Sequence, residues 1–293
     1  MEFRVLRYFL TVAREQSISA AAQSLHVTQP TLSRQIMELE AELGVTLFHR
    51  GRRNITLTTE GMLLRKRAEQ IVELMHKTEE ELAASEEAVG GTVYIGAGET
   101  HAFGTLAKSI RSLVLRYPDV RFHISSGNAD EVAERLDKGL VDFGLFIEPA
   151  DVTKYDCFRL PSVDVWGVLM RKDSPLAALD AITPEALRNQ PLICSHRALR
   201  EGHLTDWLKT RREDLNLVAT FNLIFNASLL VEAGVGYALG LDNIINTTGE
   251  STLCFRPLDP PLESHVALVW KKYQVFSKAS KLFLDMVRAG DAA

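Results

Sequence analysis

Side chains able to hydrogen-bond to nucleic acid crowd into the segment 28–34, where Thr28, Gln29, Thr31, Ser33 and Arg34 surround Pro30. Glutamine suits adenine and arginine suits guanine in a major groove, so Gln29, Thr31 and Arg34 are the candidate readers. Thr28 and Ser33 are suited to phosphates, which position a protein without reporting sequence. A second basic group follows in Arg50, Arg52 and Arg53, within a stretch from Glu42 to Glu60 that has no acid between them. Guanidinium groups at 52 and 53 suit the negative potential of a neighbouring minor groove; the plain alternative is a solvated loop. Enzyme chemistry is poorly supplied by comparison. Gly96-Ala97-Gly98 runs into Glu99-Thr100-His101 where a dinucleotide fingerprint needs its third glycine, and neither GxxxxGKS/T nor GxSxG occurs. Ser195 and His196 are adjacent, which is poor triad geometry, and Cys194 falls in an apolar Pro-Leu-Ile-Cys run that reads as core. The eight histidines include no HxxxH or HExxH spacing. No catalytic, metal or cofactor site is therefore expected.

The elements that must hold the first cluster are legible around it. Phe3, Leu6, Phe9, Leu10 and Ala13 recur at three- and four-residue spacing, the stripe of an amphipathic helix ending near Gln16. Ser19 offers an N-cap for a short helix over 20–25, whose alanines permit close packing by a neighbour. After His26 and Val27, Thr28 can cap exposed amides, and Pro30 sits in a first turn where its missing N–H costs nothing. The third helix carries Leu32, Ile36, Leu39 and Leu43 on its apolar face and stops at Gly44. Two short helices and a tight turn describe a helix-turn-helix; the alternative is a mere packing corner. Residues 47–57 then form two short strand-like runs around a Gly51-Arg52-Arg53-Asn54 tip, a wing. On this geometry Glu38, Glu40 and Glu42 must face away from nucleic acid.

Net charge points the other way. The 293 residues sum to −5, which on its face argues against nucleic acid. Split along the chain, residues 1–58 carry +2, residues 59–88 carry −4 and the remainder −3. The average conceals a mildly basic head, whose tight binding would depend on pairing of two heads. Length predicts about two domains, and 46% apolar content is ample for a core in each. Cys157, Cys194 and Cys254 lie far apart, an odd number without metal spacing, as suits a reducing compartment. Arg4 and Arg7 interrupt the apolar N-terminus, and no run approaches about 18 apolar residues, so neither a signal peptide nor a membrane partner is expected.

Thr58 and Thr59 can cap a long helix with Glu60 near its positive end. Its positions Leu64, Ala68, Ile71, Met75, Thr78 and Leu82 fall at spacings of 4, 3, 4, 3 and 4, a heptad seam that a single helix would leave exposed. A homodimer is expected, with packing on the chain's own head as the alternative. Gly90-Gly91 ends the helix in a flexible joint.

The run Ser19-Ala20-Ala21-Ala22-Gln23-Ser24-Leu25-His26-Val27-Thr28-Gln29-Pro30-Thr31-Leu32-Ser33-Arg34-Gln35-Ile36, continued by Leu39-Glu40, Leu43-Gly44, Leu47-Phe48, Arg50 and Thr59-Glu60-Gly61, resembles the signature of LysR-type transcriptional regulators. The resemblance implies an N-terminal all-α winged helix-turn-helix, a linker helix, and a C-terminal α/β two-lobed effector domain like a periplasmic binding protein. Boundaries are expected at 1–58 for the DNA-binding head, 59–89 for the dimerisation helix and 92–293 for the effector domain. Lobe I would comprise 92–161 and 266–293, and lobe II 162–265. By the same match Gln29, Pro30, Thr31, Ser33, Arg34 and the wing arginines inherit contact with double-stranded operator DNA. A bacterial, cytoplasmic homodimer or homotetramer that contacts RNA polymerase is also implied.

From residue 92 the periodicity changes. Strands are expected over 92–97, 120–125 and 142–147, alternating with helices over 102–117 and 129–138, which predicts a parallel α/β sheet. A second set of strands follows at 163–170, 191–194, 217–222 and 236–241, with helices near 202–212 and 227–233. A strand over 265–272 and a helix over 275–288 close the chain. Such sheets bind ligands at the carboxyl ends of their strands, so the effector candidates are the loop residues Gly98, Glu99, Thr100, His101, Ser126, Asn128, Phe146, Ser195, His196, Arg197 and Asn226. Ser126, Asn128 and Asn226 serve equally well as plain helix caps. Many members of the family have a small hydroxyl residue where this chain has Glu99. A cleft-facing Glu99 opposes a simple carboxylate effector and favours a cationic or polyhydroxyl one, unless Arg197 or His101 neutralises it. A plain solute-binding protein is disfavoured by the DNA-type head.

Overall fold

Helix α1 (Phe3–Glu15) buries Val5, Leu6, Phe9 and Val12 along one stripe and ends where Gln16 turns left-handed, its N–H returning to the Val12 carbonyl. The computed structural model describes residues 1–51, 54–83, 89–148 and 150–290. Helix α2 (Ile18–Ser24) opens two residues earlier than expected. Its cap is Ser17, whose hydroxyl accepts from the Ala20 amide at 3.3 Å, and Ser19 lies inside the helix. The earlier start brings Ile18 against the head's core, a hydrophobic gain that outweighs the choice between two serine caps. Helix α3 (Gln29–Leu43) buries Leu32, Ile36 and Leu39 and closes on left-handed Gly44, while Leu43 is exposed. Thr28 precedes α3 without capping it: its hydroxyl lies 2.8 Å from that of Thr31.

The wing is the antiparallel pair β1 (Phe48–Arg50) and β2 (Ile55–Leu57), with Phe48 opposite Leu57 and Arg50 opposite Ile55. Backbone amides of the wing tie it to the helices. The Ile55 amide donates to the Gln16 carbonyl at 3.0 Å, and Glu40 of α3 accepts from the Leu47 amide at 2.8 Å.

Helix α4 (Thr59–Ala83) is started by Thr58, whose Oγ1 accepts from the Gly61 amide at 2.9 Å and donates to the Thr46 carbonyl at 2.7 Å. Gly61 sits against the wing's base, where a Cβ would fall 2.1 Å from the Leu47 carbonyl oxygen. Gly61→Ala is therefore expected to cost about 1–3 kcal/mol, because backbone must move to admit it. An unchanged urea midpoint in far-UV circular dichroism would remove this contact from the account.

The heptad seam of α4 is split by the head. Ala68 is fully buried in the head's core and Leu64 packs half-buried beside it, because α4 lies along α1 and uses that side of the helix itself. Those two positions are core rather than a free dimer seam. Ile71, Leu74, Met75 and Leu82 stay exposed, Leu82 at 82%. Residues 84–88, which belong to the expected dimerisation helix, lie outside the described residues. Gly91 opens the next strand, donating its N–H to the Asp119 carbonyl, so the second glycine of the expected joint belongs to the sheet.

By its contacts the chain forms two units, Met1–Ala83 and Ala84–Ala293. The second runs β3 (Gly91–Ala97), α5 (Phe103–Arg116), β4 (Val120–Ser126), α6 (Ala129–Asp137), β5 (Phe143–Ile147), β6 (Tyr155–Arg171), β7 (Leu192–Ser195), α7 (His196–Arg200), α8 (His203–Leu208), β8 (Leu217–Phe221), α9 (Ile224–Glu232), β9 (Tyr237–Leu241), β10 (Leu253–Pro257), β11 (Glu263–Lys271) and α10 (Lys278–Ala289). The strands join in the order β4-β3-β5-β11-β6-β9-β7-β8, with β10 also on β6.

The strands expected to form a parallel set, β3, β4 and β5, do so, within a sheet that is mixed overall. β3 is parallel to β4 and β5, and β7 to β8 and β9. β11 is antiparallel to both β5 and β6, and β6 to β9 and β10. Parallel neighbours need a crossover, usually helical, whereas β10 and β11 follow one another along β6 without reversing, both antiparallel to it. β6 is long enough to serve both halves: residues 155–165 pair with β11 and residues 166–171 with β9 and β10. Two main cores flank this shared strand. One gathers Leu106, Leu113, Phe143 and Phe283, the other Val168, Leu192, Trp207 and Leu239.

Candidate functional site

The first turn of α3 presents its polar residues outward because Leu32 and Ile36 anchor the opposite face at 0% and 1% exposure. Thr28, Gln29, Pro30, Thr31 and Arg34 are exposed and Ser33 is half-buried. Since the Thr28 hydroxyl turns to Thr31, no side-chain bond caps the helix at this end. Amides at such a terminus favour an anion.

The three glutamates of α3 have different fates. Glu40 is taken up by the wing's amides, and Glu42 pairs with the N-terminal ammonium of Met1. Glu38 does not face away from Arg34: its carboxylate lies 3.7 Å from the guanidinium and accepts from Gln35 at 2.6 Å. Residues four apart share one helix face, so Glu38 competes with a base for the Arg34 guanidinium. Arg50 belongs to β1. Arg52 and Arg53 lie outside the described residues.

A cavity with about 810 Å³ of atom-free space, its mouth included, opens in the second unit. Its walls come from the carboxyl ends of β3, β5, β7 and β8, as expected of sheets of this kind. Of the expected effector residues, Gly98, Glu99, Asn128, Ser195 and Arg197 line it. Asn128 and Ser195 are also helix caps, Asn128 accepting from the Asp130 and Glu131 amides at 3.0 Å and Ser195 from Ala198 at 3.4 Å.

The other six do not reach the cavity. Thr100 is buried and donates to Asp164 of β6 at 2.5 Å while accepting from the Ala102 amide. Burial pushes the Asp164 carboxyl above its ordinary range, against the pull of those hydrogen bonds. His101, Ser126, His196 and Asn226 are exposed outside the walls. Phe146 is core at 2% exposure, edge-on to Tyr155, because successive residues of β5 point to opposite faces and it is Leu145 and Ile147 that face the cavity. Cys194, beside Ser195, is fully buried, and burial pushes its thiol up to about 12, which suits core packing and not nucleophilic chemistry.

Sequence reasoning missed Trp166, Phe221, Leu223, Ile224 and Leu241 of the walls. The expected loop around Asn226 is one turn late, since α9 begins at Ile224. No side chain near Leu223 caps this helix. Instead the Ile224 amide donates to Glu99 Oε2 at 2.6 Å, across the cavity and 125 residues away in sequence. Further contacts cross the same mouth: Arg200 of α7 meets Asp130 of α6 at 2.6 Å, and the Arg197 guanidinium reaches the Ile147 carbonyl at 3.4 Å.

Among the described residues no group of His, Cys, Asp and Glu is arranged to hold a metal ion, and no helix is long and apolar enough to cross a membrane. The profile of the bacterial regulatory helix-turn-helix proteins of the lysR family matches residues 3–62, and that of the LysR substrate binding domain matches residues 86–292. The chain belongs to the LysR family of transcriptional regulators. This LysR-type regulator thus joins a DNA-binding helix-turn-helix head to an effector-binding domain. It is 28% identical over 284 residues to the regulator YfeR of Shigella flexneri, covering 97% of this chain and 92% of that one. To ClcR of Pseudomonas putida it is 32% identical over 252 residues, 82% of each chain. In fold it is similar to full-length CbnR crystallised with its target DNA, with a TM-score of 0.76 at 21% identity over 99% of this chain and all of that one.

Proposed function

We propose that this regulator reads operator DNA through Gln29, Thr31 and Arg34 of α3, with Thr28, Pro30 and Ser33 against the backbone and Arg50, Arg52 and Arg53 in the adjacent groove. The observation that carries this reading is the first turn of α3, whose polar residues stand exposed over a buried apolar face. The domain plan is a head over 1–58, a dimerisation helix over 59–89 and an effector domain over 92–293, with lobe I at 92–161 and 266–293 and lobe II at 162–265. A small molecule in the cavity between the lobes shifts the balance between two arrangements of paired heads, by its differential affinity for them, commonly about 1–3 kcal/mol. Pairing in a homodimer uses the part of α4 the head leaves exposed, Ile71, Met75 and Leu82, and assembly to a tetramer and contact with RNA polymerase follow the family. The protein works in the bacterial cytoplasm, without cofactor and without turning its effector over. CbnR, the protein of similar fold, is crystallised on its target DNA, which supports the DNA part.

Arg34→Ala is expected to weaken binding to the regulator's own upstream DNA by about 1–3 kcal/mol and to relax sequence preference. The Glu38 contact places the outcome toward the lower end, since the bound guanidinium gives up a carboxylate it already holds. Arg53→Ala is expected to weaken all sequences about equally and to reduce the salt slope by about 1. Fluorescence anisotropy across salt concentrations separates the two. Native affinity in both variants would overturn the assignment of these residues to DNA.

A further inference from the structure

Five titratable side chains line the cavity of the effector domain: Glu99, Glu148, Arg197, Glu201 and His203. Two of the carboxylates have their own cations. Glu148 accepts from Arg159 at 2.8 and 3.0 Å, and Glu201 from Arg197 at 2.8 Å. Glu99 has none among the described residues; its hydrogen-bond partner is the Ile224 amide, on Oε2. That amide opens α9, and the start of a helix is where an anion is ordinarily favoured. Here the chain fills the anion position from within, by a residue of the opposite lobe, and Oε1 of the same carboxylate is left for the cavity. Around it the wall is apolar, with Leu145, Ile147, Trp166, Phe221 and Leu223.

We infer that Glu99 sets the specificity of this cleft: it selects a small apolar molecule bearing a protonated amine and rejects the matching carboxylate. The inference rests on the reading of the cavity as the effector site. An ammonium group meets Glu99 as an opposite charge in a partly desolvated wall, where charge pairs are stronger than in water. A carboxylate meets a like charge, and finds the amide that would have held it already occupied.

The test uses the full chain and matched amine and carboxylate pairs on benzyl, phenethyl and hexyl bodies, titrated by calorimetry at about pH 8, where the amine and the carboxylate of each pair are both charged. Glu99→Gln keeps the shape and an acceptor for Ile224 but removes the charge; Glu99→Thr frees the amide. Wild type is expected to prefer the amine of a pair by at least about tenfold, a difference on the scale of one close charge pair. Glu99→Gln should erase that preference and Glu99→Thr reverse it; Glu99→Gln should keep the wild-type melting profile, whereas Glu99→Thr, which leaves the α9 amide uncapped, should melt earlier yet stay folded at the assay temperature. Equal or tighter binding of the carboxylates by wild type, or an amine preference that survives Glu99→Gln, overturns the role of Glu99 while leaving the cleft a ligand site. If no member of the panel binds any of the three proteins, the cleft reading falls and the inference with it.

Discussion

Phe9→Ala is expected to destabilise the N-terminal unit by about 3–5 kcal/mol and to abolish DNA binding without touching the effector domain. Phe9 has no exposed surface, and its ring lies 5.2 Å from that of Phe48 at the base of the wing. Leu6, Leu32, Ile36 and Leu39 share the cluster, so the lost ring leaves a cavity among side chains from α1, α3 and the wing together. At roughly 0.05–0.15 kcal/mol per residue, a unit of this size is worth about 4–12 kcal/mol in all. Removing about 3–5 takes a large share of that total and, at the lower end of the range, leaves the head unfolded. The chain offers a clean readout, because its three tryptophans, Trp166, Trp207 and Trp270, all lie in the second unit. In urea, circular dichroism should show an early loss of helix that tryptophan emission does not follow. Coincident shifts in both signals would mean that the two units do not unfold separately, and the expectation would be wrong.

Phe143→Ala should produce the converse. This side chain is fully buried, stacked on Phe276 at 5.1 Å and edge-on to Phe283 at 5.4 Å and Trp270 at 6.3 Å. Truncation removes its transfer free energy, leaves a void, and cancels three aromatic contacts worth about 0.5–1.5 kcal/mol each beyond area, so about 3–5 kcal/mol is expected again. It lies on β5, two and four residues before Leu145 and Ile147 of the cavity wall. Relaxation of that strand should therefore weaken any ligand that the cleft holds. The tryptophan transition in urea should move to lower denaturant, and ligand titrations should lose affinity. A fall of less than about 1 kcal/mol in unfolding free energy would mean that the core repacks around the loss, as some sites do.

Much of the DNA-reading end was legible because its determinants are local. Apolar residues at three- and four-residue spacing mark the buried faces of α1 and α3, Pro30 fits only an opening turn, and Gly44 does adopt the left-handed conformation that closes the helix. The details that went astray there are choices between near-equal local options, Ser17 or Ser19 as cap, Thr28 toward an amide or toward Thr31. Glu38 is a different case. Its i,i+4 relation to Arg34 is written in the sequence, and it went unread because like-charged glutamates were treated as one face.

The cleft was less legible. Loop positions after strands gave Gly98, Glu99, Asn128, Ser195 and Arg197, but the same rule also gave Thr100 and Phe146, which point into packing. Nothing local says which face of β5 meets a cavity when both faces are covered and every residue of Phe143–Phe146 is buried. The first part of β6 and the whole of β10 were missed for a related reason, since strand pairing depends on distant partners more than on intrinsic preference.

The sequence by itself determined the kind of protein: a helix-turn-helix with its reading face outward, a wing, a long helix, and an α/β domain, because helical periodicity, caps and turns act over a few residues. Only the tertiary structure decided how α4 divides its apolar seam between Ala68 in the head's core and Ile71, Met75 and Leu82 outside it. It alone decided where α9 begins. The run Asn222-Leu223-Ile224-Phe225 contains no residue that caps the helix amide, and the carboxylate that does so is Glu99, supplied by the other side of the cleft. A buried helix end left without a local partner can be satisfied by a side chain brought to it through folding, and such a partner has no signature in the neighbouring sequence.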